Sequence, residues 1–170
     1  MTDPEFRDAF YRNKGVLYRF AYRMTGSSSV AEDVVQESFL ALWRRPDAYD
    51  PDVGAVRPFL LGIARNLVLR RWRDERPHEA LDDESFVCLP IDLVHNERLQ
   101  TVANAIQMLP PLQREALILA DYEEMSLEDV ASTTGAELAA VKSRLHRARK
   151  NLRRMLSRLL ESKDILYGTK

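Results

Sequence analysis

The residues best placed to do chemistry lie in the last third of the chain. Between Lys142 and Arg158 there are eight Lys or Arg side chains and no acid. Such a run on one helix can neutralise phosphates and release their counterions. Just upstream, Ser126-Leu-Glu-Asp-Val-Ala-Ser-Thr-Thr-Gly135 has the form of a short helix closed by a glycine turn. Ser126 with Asp129 three residues on resembles a capping box with the shorter acid. A short helix, a tight turn and a basic second helix spell a helix-turn-helix, whose second helix enters the DNA major groove. Lys142, Ser143 and His146 are placed to reach base edges. Arg144, Arg147, Arg149 and Lys150 are placed to reach phosphates. Arg144 serves structure equally well, and His146 reads equally as a half-buried helix histidine.

A second polar group lies on Phe59–Arg76. Phe59, Arg65, Asn66, Arg70 and Arg73 combine an aromatic, an amide and cations on one helix. Aromatics stack on bases, an amide pairs with a base edge, and arginines follow a single-stranded backbone. On spacing alone, an amphipathic helix with Trp72 in the core fits as well. A third group, Asp33, Gln36, Glu37, Phe39 and Trp43, puts polar side chains and large aromatics at steps of three and four. That is the composition of a protein-docking face, or simply of a solvated helix.

Catalysis finds no comparable pattern. No Gly-rich loop with Lys cradles a phosphate, and no Ser/His/acid or Cys/His set is apparent. The single cysteine, Cys88, excludes an internal disulfide. His78, His95 and His146 lack metal-ligand spacing, so no catalytic residue, metal or cofactor is expected. The N-terminus is polar and acidic rather than a signal peptide, and no apolar run approaches a membrane span.

The elements that must position these groups read as helices throughout, so the expected fold is all-α. Phe6, Phe10, Leu17, Phe20 and Met24 mark a first apolar stripe that stops at Gly26. Ser29 is the expected cap of a second helix running to the break at Pro46. Asp47–Val56 reads as a loop, and a third helix opens near Pro58 and runs to about Arg76. Residues 77–97 hold six acids, two prolines and no Lys or Arg, and read as an acidic linker. A surface loop within one domain is the alternative. Beyond it, helices at Leu99–Leu109 and about Leu112–Asp121 precede the capped Ser126–Ser132 helix and the long basic one. The expected organisation is two small helical domains, 1–76 and 98–170, joined by the linker, with the helix-turn-helix at the end. The formal net charge of −1 hides this organisation, because the acidic segment cancels the basic helix.

Taken in order, three blocks resemble the extracytoplasmic-function class of bacterial sigma factors, within the sigma-70 family. Tyr18–Gly26 followed by Ala31–Phe39 looks like that family's polymerase-binding region. Gly62-Ile63-Ala64-Arg65-Asn66 looks like its promoter-melting, −10-reading helix. Leu109-Pro110, Arg114-Glu115 and Val141–Arg149 look like its fourth-region domain. The resemblance implies a promoter-specificity subunit, not an enzyme. Asp33 to Trp43 would dock on core RNA polymerase, and Asn66 would take a flipped −10 base with Phe59, Arg65, Arg70 and Arg73 around it. Residues 142–150 would read the −35 duplex. It further implies a cytoplasmic protein whose partners are core polymerase, promoter DNA and an anti-sigma factor, which can hold it at the membrane. No small-molecule substrate is implied. Phe59 stands where the family usually has Trp. The turn Thr134–Ala140 lacks the family's Pro and its Thr or Ser before Val141. The last helix is therefore expected to begin earlier, near Glu137, whose carboxylate repels phosphate wherever it faces DNA.

Two other classes stay open. One is a stand-alone operator-binding regulator, for which the Asp33–Phe39 face and the Asn66 helix would be superfluous. The other is a sigma mimic that titrates an anti-sigma factor, for which the basic helix would be superfluous.

Overall fold

A computed structural model describes residues 2–76 and 97–167, with side chains placed over 2–76 and 100–158. The expected linker, with His78, Cys88 and His95, lies outside the described residues apart from Glu97, where the fourth helix begins. Among the described residues every regular element is helical: α1 (Asp3–Thr25), α2 (Ser28–Arg44), α3 (Val56–Glu75), α4 (Glu97–Gln107), α5 (Pro111–Leu117), α6 (Leu127–Thr134) and α7 (Leu138–Tyr167). A single 3-10 turn at Pro46–Ala48 opens the loop before α3, and a π turn, Ile118–Tyr122, extends α5. No described helix is long and apolar enough to cross a membrane.

Local chemistry sets the helix ends. Gly26 closes α1 in the left-handed region at φ 72°, and its N–H donates to the Tyr22 carbonyl. Side chains with a Cβ resist that conformation, which is why glycine stands there. Ser27, not Ser29, caps α2, and its hydroxyl accepts from the Val30 N–H at 3.3 Å. Three serines in a row are equal candidates by type, and the backbone leaving Gly26 selects the first. Ser126 caps α6 as expected, accepting from the Asp129 N–H at 3.0 Å, and Gly135 ends it at φ 65°. The Glu137 carbonyl already accepts from the Val141 N–H, so the basic helix begins at Leu138.

Packing follows the apolar stripes. α1, α2 and α3 pack on one another through Leu17, Phe20, Met24, Val34, Leu42, Leu60, Ala64 and Val68, all at most 2% exposed. α5, α6 and α7 pack through Leu117, Val130, Val141, Leu145 and Ala148, and α4 lies against α7. Burying each large apolar side chain contributes roughly 1.5–3 kcal/mol. The two sets of helices do not form separate cores, since their buried residues belong to one contiguous cluster.

Candidate nucleic-acid interface

α7 presents the first group of candidates. Val141, Leu145 and Ala148, at steps of four and three, are buried. Helical periodicity therefore turns the intervening residues outward. Lys142, Ser143, His146, Arg149 and Lys150 are exposed, while Arg144 and Arg147 are half-buried. The exposure of His146 disfavours its reading as a partly buried histidine. Arg147 lies over its own helix, with Nε 3.5 Å from the Ser143 carbonyl. Arg149 is held by Asp121 in a two-pronged pair at 3.0 and 2.5 Å. The hydrogen bond to Asp121 raises the pKa of this guanidinium, so it stays fully charged. Glu137 is exposed at the start of the helix, beside the surface that would meet DNA.

α3 carries the second group. Asn66 is exposed, Phe59 is half-buried, and both line a cleft of about 600 Å³. One wall of this cleft is the loop before α3. Tyr49 shapes that loop: its ring lies 5.5 Å from the Phe59 ring and its hydroxyl donates to the Gly54 carbonyl at 3.1 Å. The other wall is α6, through Asp129, Ser132 and Thr133. Trp72 does not join this surface. It is 6% exposed, with the Arg114 guanidinium 5.2 Å from its ring, so it belongs to the core as the amphipathic reading allowed. Arg73 is exposed. Arg70 reaches Glu37 at 3.4 Å across to α2.

The third group is divided by burial. Trp43 is 55% exposed and Gln36 is exposed, but Phe39 is only 4% exposed. Phe39 packs edge-on against Phe10 at 4.8 Å and Phe6 at 6.1 Å, supporting the face from beneath. Asp33 and Glu37 share Arg71, at 3.3 and 2.7 Å. The acidic face of α2 is thus laced to the cationic edge of α3.

A fourth group, formed where the two sets of helices meet, was not singled out as a site from sequence. Arg65 Nε and Nη2 donate to the two Glu115 carboxylate oxygens at 2.7 and 3.1 Å. Glu123, its side chain 1% exposed, accepts from Arg57 at 3.1 Å and Arg23 at 3.4 Å, with Arg19 at 4.0 Å. Arg57 also donates to the Glu123 carbonyl at 2.8 Å. The C-terminal carbonyls of α1 have no partners within their own helix. Gln107 takes that of Arg23, and Arg114 takes that of Met24 at 2.5 Å. Arg114 is fully buried and also donates to the Leu109 carbonyl at 3.0 Å and to Gln107. Burial, with a smaller contribution from the charge of Arg76, pushes its pKa down to about 9. It therefore remains a cation at neutral pH. Polar residues scattered over four helices and the turn at Glu123 carry no periodic signal; Arg65 had been marked for a −10 strand, and Arg19, Arg23 and the pair Arg114-Glu115 only as parts of a family resemblance, none of them for contact with one another.

A helix-turn-helix with an outward cationic helix, joined through a shared core to a helix carrying an exposed amide beside a shaped loop, defines a nucleic-acid-binding protein. The comparisons carry this further. Residues 10–78 match Sigma-70 region 2 and residues 99–152 match Sigma-70, region 4. The chain is 34% identical to the ECF RNA polymerase sigma factor SigE of Mycolicibacterium smegmatis, over 91% of this chain and 63% of that protein. It is 30% identical to the ECF sigma factor SigL of Mycobacterium tuberculosis, over 90% of this chain and 89% of that protein. Among solved structures it is similar to the sigma factor RpoE of Bartonella quintana in complex with the anti-sigma factor NepR. There the TM-score is 0.73 at 27% identity, covering 90% of this chain and 97% of that one. The chain belongs to the ECF sigma factors of the sigma-70 family.

Proposed function

We propose that the chain is a promoter-specificity subunit that joins core RNA polymerase, recognises paired −35 and −10 elements and helps melt the DNA. The observation that carries this is the presence, in one chain, of two unlike nucleic-acid surfaces. α7 offers an exposed cationic face suited to a duplex groove. α3 offers an exposed amide beside an aromatic and a shaped loop, suited to an unpaired base. A stand-alone duplex-binding regulator needs only the first.

In this reading residues 1–76 are the polymerase- and −10-binding domain, 77–97 a linker and 98–170 the −35-binding domain. Lys142, Ser143, Arg144, His146, Arg147, Arg149 and Lys150 meet the −35 duplex. Asn66 receives the −10 base, with Phe59, Arg65, Arg70 and Arg73 around it. Asp33, Gln36, Glu37 and Trp43 form the polymerase face, held in shape by Phe39. The protein works in the cytoplasm and is not an enzyme. Its control by an anti-sigma factor is supported by similarity to a sigma chain solved in such a complex.

The test is run-off transcription with core RNA polymerase on a library of randomised promoters, with a polymerase-free binding control. Initiation that needs both proteins and enriches a paired −35/−10 signature is the expected result. Tight duplex binding in the control without initiation would replace this reading with a stand-alone regulator.

A further inference from the structure

We infer that the pocket between α1 and α4 is a binding site for a small, flat aromatic carboxylate. The inference does not depend on the function just proposed, and it gives the chain a ligand that neither nucleic-acid surface uses.

The pocket holds about 350 Å³, a size that encloses a small organic molecule. Val102, Ala103 and Ile106 of α4 give it an apolar wall. Tyr18 and Tyr22 of α1 and Tyr122, at the end of the π turn, add three aromatic rings. The first two, one helical turn apart, lie parallel to within 8° with their centroids 6.1 Å apart. The third carries the Arg23 guanidinium 4.3 Å from its ring. Tyrosine has two side-chain torsions to order, so such a lining is rigid at low entropic cost. Aromatic rings also favour offset or edge-on contact with other rings beyond what burial alone gives. A flat ring system therefore suits the pocket better than a flexible chain of the same volume.

The charge at the rim selects an anion. Arg19 and Arg23 both line the pocket. The Arg19 side chain is 53% exposed, and the Glu123 carboxylate that it faces is 4.0 Å away, beyond hydrogen-bonding reach. Around Glu123 the guanidiniums of Arg19, Arg23 and Arg57 share one carboxylate, which leaves a local excess of positive charge. Open carbonyls at the end of α1 would oppose an anion. Those of Arg23 and Met24, however, already accept from Gln107 and Arg114. Gln107 is engaged at both ends of its amide, since its oxygen accepts from Arg114 at 3.2 Å. Arg19 is thus placed to anchor a carboxylate through paired N–H donors, with the ring system of the ligand among the tyrosines.

The experiment titrates 2-naphthoate into the full chain and follows the backbone amide shifts by NMR. Octanoate and 2-naphthylmethylammonium are the controls for ring and charge. The expected result is saturable binding with a Kd of roughly 1 mM or tighter, the range of a fragment-sized ligand. The shifts should centre on Gly26, Ala103 and Gln107, which line the pocket. Both controls should bind about tenfold more weakly, the loss of one well-placed contact. Ala103→Phe fills the space and should abolish binding. Arg19→Gln, at an exposed position, should weaken it by about fivefold and keeps the test open if the first variant folds poorly. No saturable binding, or unchanged affinity in Arg19→Gln, would overturn the site. Equal affinity for octanoate would overturn the aromatic class, and equal affinity for the ammonium the carboxylate. Binding seen only after Phe86→Ser with Leu89→Ser would give the pocket to the chain's own residues 86–94 and overturn the ligand reading. Self-association in sedimentation velocity that Ala103→Phe removes would give it to a second copy, with the same consequence. None of these failures touches the polymerase-dependent run-off result, so the pocket and the sigma function are tested separately.

Discussion

Replacing Arg114 tests how the two helix sets are joined. Its side chain is fully buried and donates to the main-chain carbonyls of Met24, Gln107 and Leu109 and to the Gln107 amide oxygen. Arg114→Ala takes this donor from three buried carbonyls, and each unsatisfied acceptor costs about 1–3 kcal/mol. Against that, a buried cation disappears, and its desolvation penalty is several kcal/mol. Three acceptors orphaned at once against one cation relieved leave a net loss of roughly 3–5 kcal/mol, at the upper end of single-substitution effects. For a protein of this size each kcal/mol moves the midpoint by about 2–4 °C, so Tm should fall by roughly 6–20 °C. Urea unfolding is followed by tryptophan fluorescence, because the Trp72 ring lies 5.2 Å from the guanidinium. Far-ultraviolet circular dichroism is recorded in parallel, and coincident transitions justify a two-state treatment. Arg114→Lys keeps the charge without the planar fork and should recover less than half of the loss. Arg114→Met fills the space without donors. Wild-type stability in the Met variant would refute the reasoning, because the carbonyls would then not need the guanidinium.

Two further predictions concern the surfaces. Asp121→Asn releases Arg149 from its carboxylate, so duplex affinity measured by anisotropy should rise and its salt dependence should steepen by about 0.9 in log–log slope. Unchanged affinity and slope would remove Arg149 from the phosphate contacts. Trp43→Ala with Gln36→Ala strips two exposed side chains from α2 and should weaken competition for core polymerase by about tenfold, equivalent to ~1.4 kcal/mol. Wild-type competition would return that face to ordinary surface.

The sequence was most legible where a structural signal is local. Apolar spacing of three and four located the helices, since burial of one face repeats with the helical turn. Gly26 and Gly135 marked helix ends because both adopt a left-handed backbone. The missing hydroxyl at Ala140 correctly implied an early start for α7, and that helix begins at Leu138. Legibility fell where residue type was ambiguous. Ser27 and Ser29 are chemically equal caps, and the wrong one was expected. Phe39 and Trp43 lie one helical turn apart, yet the first is buried by Phe6 and Phe10 and the second is exposed. Deciding between them requires the position of α1. Contacts between distant polar residues were not legible at all. Arg65 with Glu115 and Arg57 with Glu123 join side chains 50 and 66 positions apart, and no period in the sequence links them.

The central claim is that this chain opens promoter DNA together with polymerase and holds a −10 base at Asn66. Permanganate footprinting tests it most directly, on a promoter recovered from the run-off selection. Thymines of the −10 region should become reactive only when core polymerase and the chain are both present. Asn66→Ala should sharply reduce that reactivity while polymerase binding is retained. Full reactivity with Asn66→Ala, or none with the wild-type chain, would contradict the account.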